Sequence, residues 1–465
     1  MLKTIIIKEL QNNLYSLRFH ISFLLCIVIF VVGTIAFLKN QDARMQEYSK
    51  YQAEFKNELK ETAESNAGKL AVNQRAFIWQ PRANAFISDC KEKYFPNQFI
   101  YSAYNVFGFE VGRGNINPFL RTFQELNWSF IATVILSFVV LLFTFDTISG
   151  EKESGALSLV LSNSMPRATL LFGKYIGTIV TTMVMTVFGM GLSILILLFS
   201  HRVAFTSAIL VESFGFLFLT LLLVSCIAAT GILSSVLVHK SNVSLLISLT
   251  FWLVFVVLIP NTAIFWANKI FSIEHADTIN ERIGGFLADL NRNAPMGSWS
   301  SADDNPFLPE HRLRAELQIK LMNSEMGIRN AYFQDMFRQF ERTRLLTVIS
   351  PIALFDYMNE AIVGGGYARF KKIWTNLHVY QDQFLEFFKR IDAADPNSPH
   401  WYNPYEDYST SKKPVTFEQL PLFEEKPLSL AARFYFLKNY LVIMIVYIAA
   451  VFSLALVSFL RYDVR

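Results

Sequence analysis

Charge is scarce in this chain: Asp, Glu, Lys and Arg make up 17% of 465 residues, against about 25% in soluble domains. Hydrophobic residues reach 52%, and the mean hydropathy is +0.32. Such a chain cannot cover itself with polar surface, so a soluble domain is excluded and a polytopic membrane protein follows. Cysteine is nearly absent. Of Cys26, Cys90 and Cys226, two lie inside apolar runs as small buried hydrophobes, leaving no disulfide framework and no metal site. The net charge of +4 is too small and dispersed for nucleic acid. A phosphate-cradling loop is also missing: Gly173-Lys174 is followed by Tyr175 and has no glycine ahead of it in the required position, so the chain does not hold ATP by a P-loop. Glu274-His275 and Glu310-His311 are isolated pairs without metalloprotease spacing, and Ser164 and Ser350 read as helix starts rather than nucleophiles. No catalytic residue and no cofactor is expected.

What the chain has instead is long apolar runs. Residues 21–38, 128–145, 175–200, 207–238, 243–267 and 438–460 each approach or exceed the roughly 20 residues that a spanning helix needs. The fold class expected is an all-α polytopic membrane protein with about six spans. The fourth run is longer than one upright span requires, which predicts a tilt or a break at its outer end. Small residues at Ser225, Ala229, Gly231 and Ser235 suit close helix packing. Ahead of the first span, residues 1–20 place Leu10, Leu14 and Leu17 on one helical face among Lys3, Lys8 and Arg18, an interfacial helix. The first run is too long for a signal-peptide core and lacks a cleavage site, so it reads as an uncleaved anchor. The short segments on one side carry Lys3, Lys8, Arg18, Lys152, Arg167, Lys240, Arg461 and Arg465, against Arg202 on the other. The positive-inside rule then puts both termini, including the tail 461–465, in the cytoplasm of a bacterial cell bounded by this inner membrane.

Two polar inserts, 39–127 and 268–437, fall on the opposite side and predict a mainly helical extracytoplasmic domain. In the first, Met45, Tyr48, Gln52, Phe55 and Leu59 form a short heptad-like seam. It fits either a stalk continuing the first span or a plain amphipathic helix of the outer domain. Pro81, Pro96 and residues 108–114 predict turns. The second insert shows helical periodicity through Ile279, Ile283, Phe286, Leu287 and Leu290, through Leu313, Leu317, Leu321, Met336 and Phe340, and through Phe370, Ile373, Trp374, Leu377, Phe384, Phe387 and Ile391. Between the last two, Ser350-Pro351 starts a short helix and Gly364-Gly365-Gly366 ends it. Residues 395–427 read as extended or loop.

The stretch joining the second and third spans, 146–174, is the most informative. Glu151, Lys152 and Glu153 precede a Ser154-Gly155 turn, and Leu157, Val160 and Leu161 recur at i, i+3 and i+4 on one face of a two-turn helix ended by Asn163-Ser164-Met165-Pro166. A helix so short is marginal in water and needs a partner surface. The pattern alone fits an amphipathic connector on the membrane as well as a docking helix.

Glu151, Glu153, Gly155, Leu157, Leu161, Pro166, Arg167, Gly173 and Lys174 together resemble the first cytoplasmic loop of type-2 ABC exporter permeases. The resemblance implies that the loop is a coupling helix seated on a separate ABC ATPase subunit, with Val160 on the same face. It also implies a dimer with a second permease copy or a paralogue, surrounding membrane lipids, and an outer domain that can meet a periplasmic partner. The large insert before the last span resembles one branch of that family, whose relatives serve nitrous-oxide-reductase maturation, sodium export and gliding motility. Glu212, the one acid inside an apolar run, is either a pathway residue or a side chain reaching the interface. The leading function is therefore the permease subunit of an exporter. An ATPase-linked scaffold or mechanotransmission subunit is the alternative, and a membrane enzyme the third.

Overall fold

The computed structural model describes residues 2–65, 67–73, 75–92, 95, 98–104, 106–110, 126–162, 165–293, 307, 309–403 and 409–462. Of the sequence expectations, those on Pro96, residues 111–114, Asn163-Ser164 and Arg465 lie outside the described residues.

The protein is an all-α polytopic membrane protein, and among the described residues six helices are long and apolar enough to span a bilayer. Helix α1 (Leu2–Leu14) ends where the Ser16 hydroxyl donates to Asn13 O and accepts from Phe19 N, which starts α2 (Leu17–Ser65). Helix α2 has 49 residues, about 73 Å at 1.5 Å per residue, so it carries the first apolar run and continues beyond it. The seam residues belong to this same helix, and its far end inserts Leu59, with Phe55 beside it, into an aromatic core. The stalk is thus continuous with the span and packs within the chain's own insert domain.

The remaining spans are α4 (residues 128–144), α7 (Arg167–Ser200), α8 (Ser207–Leu237), α9 (residues 241–270) and α14 (Leu430–Arg461). Ile131–Leu136 of α4 and Leu253–Leu258 of α9 are wound as π-helix. In α9 the wider turn precedes Pro260, whose missing N–H and ring would otherwise break the ladder. Helix α8 packs on α4, α7, α9 and α14 and forms the centre of the bundle. It runs without a break from Ser207 to Leu237, so of the two expectations, a tilt or a break, the break is not found. No proline interrupts it, and its Ser213, Thr220 and Thr230 hydroxyls bond back to carbonyls four residues earlier.

The inserts add α3 (Ala67–Val72), an antiparallel sheet in the order β1-β2-β3 (Arg75–Ile78, Gln98–Tyr101, Val106–Glu110), and helices α10 (Ala276–Arg292), α11 (Pro309–Thr347), α12 (Pro351–Val363) and α13 (Gly366–Ala393). The sheet was not foreseen, because strands of four or five residues are too short to show alternation. Residues from both inserts share one core, in which Trp79 stacks on Phe99 and Phe99 on Phe370 of α13, and Phe337 of α11 packs on Trp374. Helix α12 has the expected caps: Ser350 accepts from Ala353 N, and Gly364 follows at φ +72°. It is buried nearly all round, wedged against α8 and α14.

Candidate functional site

Two polar clusters stand at opposite ends of the bundle, one on the side of the 146–174 loop and one beneath the inserts. On the loop side, α4 gives way to α5 (Ser149–Glu153) and α6 (Ala156–Ser162). The N–H groups of Ile148 and Ser149, at the start of α5, both donate to Ser235 Oγ of α8 at 2.9 Å. Lys152 donates to Val236 O and Val238 O (3.2 Å), the free carbonyls that end α8. Glu153 accepts from Ser241 N at 3.0 Å, where the positive end of α9 favours an anion. Arg167 performs the mirror task at the end of α14, donating to Leu460 O at 3.0 Å and Tyr462 O at 2.7 Å. Glu151 pairs with Lys174 at 2.8 Å, and Lys174, buried at 4% exposure, also holds Glu9 of α1 at 3.0 Å. Gly173 makes that docking feasible: a Cβ there would stand 2.5 Å from Ile5 Cγ2, so α1 rests directly on α7. Asp146 pairs with Arg18 of α2 at 2.7 Å.

The loop is therefore bonded to α1, α2, α7, α8 and α9, and its end to α14. Gly155 turns the chain at φ +73°, and Pro166 occupies the N-cap position of α7, its φ of −62° suited to the entry. Leu157 is 2% exposed, inside an apolar cluster with Ile5, Ile148, Leu170, Ile232 and Phe459, and Val160 and Leu161 lie half-buried against it. The row that sequence reads as facing a partner meets the chain's own helices. The outward face of α6 presents Ser158, Ser162 and Leu159, the last 72% exposed. Leu159 falls off the i, i+3, i+4 pattern, so periodicity could not single it out.

Beneath the inserts, Glu212 of α8 is 4% exposed and both its oxygens are engaged. Arg433, in the first turn of α14, lies 2.6 Å from Oε1, and Asn84 Nδ2 is 2.7 Å from Oε2. Arg433 also donates to Ile362 O at 2.7 Å and Asn84 to Val363 O at 3.0 Å, tying the end of α12 to both. The cluster continues outward: Arg82 bonds Asn84 Oδ1 at 3.0 Å and pairs with Glu92 at 2.9 Å, and Arg369 bridges Glu92 and Glu425. Arg344 pairs with Glu360, which also accepts from Ala368 N at 3.2 Å. The glycines after α12 admit these groups: a Cβ on Gly366, already at φ +60°, would meet Glu360 Cδ at 2.7 Å and Cys90 O at 2.9 Å. Burial by itself would lift the Glu92 carboxyl, but Arg82, Arg369 and the Gly366 N–H hold it below the usual range. Sequence marks Glu212 but not Arg433 or Asn84, which lie 221 and 128 residues away from it.

A model of the family described as ABC-2 family transporter protein matches residues 3–464. The chain is also similar to the probable ABC transporter permease protein NosY of Pseudomonas aeruginosa, 33% identical over 114 residues, which is 24% of this chain and 41% of that protein. The matched stretch thus spans about two-fifths of the relative's length. With the family pattern running across nearly the whole chain and six helices able to span a bilayer, the protein is a multi-pass membrane protein belonging to the ABC-2 transporter family.

Proposed function

We propose that this chain is the membrane-spanning permease subunit of an ATP-binding cassette exporter in a bacterial inner membrane, with ATP hydrolysed by a separate subunit that docks on the 146–174 loop. The observation that carries this reading is the use of the loop's charges. Glu151, Lys152, Glu153 and Arg167 are spent on fastening the loop to helix ends, while Leu159 stands 72% exposed between the small exposed residues Ser158 and Ser162. A push on α6 is then shared among several spans at once, as coupling requires. The ATPase touches Leu159, and Leu157, Val160 and Leu161 transmit the load inward. The basic residues of the short segments put the loop and both termini in the cytoplasm and the inserts outside. One chain supplies half of a pathway, which a second copy or a paralogue completes.

The mechanotransmission reading has its own support in the Glu212–Arg433–Asn84 cluster, which joins α8 and α14 to the insert domain. Such a joint carries motion of the spans outward to a periplasmic partner. Glu212, with both oxygens engaged, fits fastening better than contact with cargo.

Measuring ATPase retained per permease in detergent tests the docking assignment. Leu159→Asp is expected to lower retention about tenfold while the melting temperature stays unchanged, since the leucine is already in water. Leu157→Asp puts a carboxylate into the apolar cluster and is expected to lower the melting temperature itself. Full retention by folded Leu159→Asp would reject this docking surface.

A further inference from the structure

Helix α9 reaches the insert side at Ile270, and a cleft of about 350 Å³ opens there between the segment that follows α9, α10 and α11. From Ser241 to Ile270 the helix advances about 44 Å, close to the roughly 40–45 Å of a bilayer with its headgroups. Gln339 of α11 donates to Phe271 O at 2.7 Å and so holds the mouth of the cleft at this level. Three arginines line it, from two different helices: Arg282, Arg338 and Arg342. Arg282 pairs with Glu274 and Arg338 with Asp335, but both pairs are about half exposed or more, and such pairs are weak and easily exchanged for a better anion. Arg342 lies 5.7 Å over the Phe271 ring and has no acidic partner among the described residues. Apolar side chains stand exposed on the bundle side of the cleft: Trp266 (48%) and Ile270 (54%) on α9, Leu345 (72%) in the last turn of α11 and Ile349 (59%) just after it, where the next residue, Ser350, bonds Phe255 O of α9. An arginine cleft in the headgroup layer above an apolar flank matches an amphiphile whose head is anionic and whose tail lies in hydrocarbon.

We propose that this cleft binds the phosphate-bearing headgroup of an anionic membrane lipid in the leaflet facing the inserts, with Arg342 and Arg338 on the phosphate, Arg282 closing from α10 and the acyl chains lying along Trp266 and Ile270. The inference rests on the membrane fold and not on the docking of an ATPase, so either stands if the other fails. The site also gives the insert domain a fixed height above the bilayer, because it joins α10 and α11 to lipid beside the end of α9.

The test is native mass spectrometry of the full chain released from micelles containing equal amounts of phosphatidylglycerol and phosphatidylcholine. The Arg282→Gln/Arg338→Gln/Arg342→Gln variant is expected to retain at least about fivefold less phosphatidylglycerol than wild type, with phosphatidylcholine unchanged. Arg312→Gln, about 39 Å earlier on α11, removes an exposed charge of the same kind and is expected to change nothing. All these side chains are exposed, so an unchanged melting temperature is expected throughout. Equal retention by the triple variant, or an equal loss in Arg312→Gln, overturns the site. Glycerol phosphate, the same head without chains, is titrated in parallel; binding as tight as that of the lipid overturns the lipid as the occupant.

Discussion

At the loop end of the bundle, three charged side chains meet helix ends, beside the Glu9–Lys174–Glu151 and Arg18–Asp146 pairs; at the insert end, the charged side chains chiefly meet one another. Lys152, Glu153 and Arg167 each satisfy backbone groups that a helix terminus leaves open. Glu212, Arg433, Arg82, Glu92 and Arg369, linked through Asn84, instead form a side-chain relay through four separated segments. The difference lies in what each arrangement tolerates. A side chain on a helix end can slip by one carbonyl and still be satisfied, so the loop can move with the spans and remain attached. Glu212 is buried with Arg433 on one oxygen and Asn84 on the other, and losing either leaves a desolvated oxygen unpaired, so the insert end behaves as a rigid joint. The bundle is then compliant where an ATPase is proposed to push and stiff where the insert domain is carried.

Three perturbations would break or sharpen this contrast. The largest effect is expected at the insert end: Arg433→Ala leaves Glu212 buried and half-satisfied and should cost about 3–5 kcal/mol, read as a loss of cooperative thermal unfolding in detergent. The pair replacement Glu212→Leu with Arg433→Met should restore most of it. If Arg433→Ala melts like wild type, the joint is not rigid.

A smaller effect is expected at the loop end. Lys174→Met removes the shared partner of Glu9 and Glu151, but both acids retain some access to water, so the cost should be roughly 1–3 kcal/mol. Helix α1 should loosen first, seen as faster hydrogen exchange over Leu2–Leu14 with α8 unchanged. Global unfolding in place of local release would show that this end is as rigid as the other.

The smallest effect is that of pH. Because Glu92 has its pKa lowered in the fold, the stability it contributes is present above the unfolded carboxylate value of 4.5 and is lost as pH falls through the lower folded value. Hydrogen exchange at residues 82–92 and 364–369 should therefore quicken on acidification below about pH 4.5, while Glu92→Gln, which has no proton to take up there, should show no such step. Acceleration that persists in Glu92→Gln would assign the effect to another group.

The loop shows how far pattern reading reaches. Gly155 as a turn, Pro166 at a helix start and a two-turn α6 were all legible, because each depends on backbone chemistry within a few residues. The direction α6 faces was not. Leu157 and Leu159 are both leucines in one short helix, and only the presence of Ile5, Ile148 and Phe459 on one side decides which is buried. The caps of α12 were legible for the same local reason, and its burial on all sides was not, since α8 and α14 reach it from far along the chain. The fourth span gave the opposite lesson. Length alone allowed a tilt or a break, and without a proline α8 stays whole.

The sequence by itself determined the class, the number of apolar runs and the caps of single helices such as Ser350 and Gly364, because apolar length, capping residues and glycine are properties of short stretches and of the solvent around them. Tertiary structure alone decided the pairings, since Lys174 with Glu9 and Glu212 with Arg433 depend on groups 165 and 221 residues apart. It also decided the inward burial of Leu157 and the arginine cleft at the end of α9. Such contacts carry no local signal: they form only when helices fixed by their own sequence are packed, and what each side chain meets is then set by its neighbours.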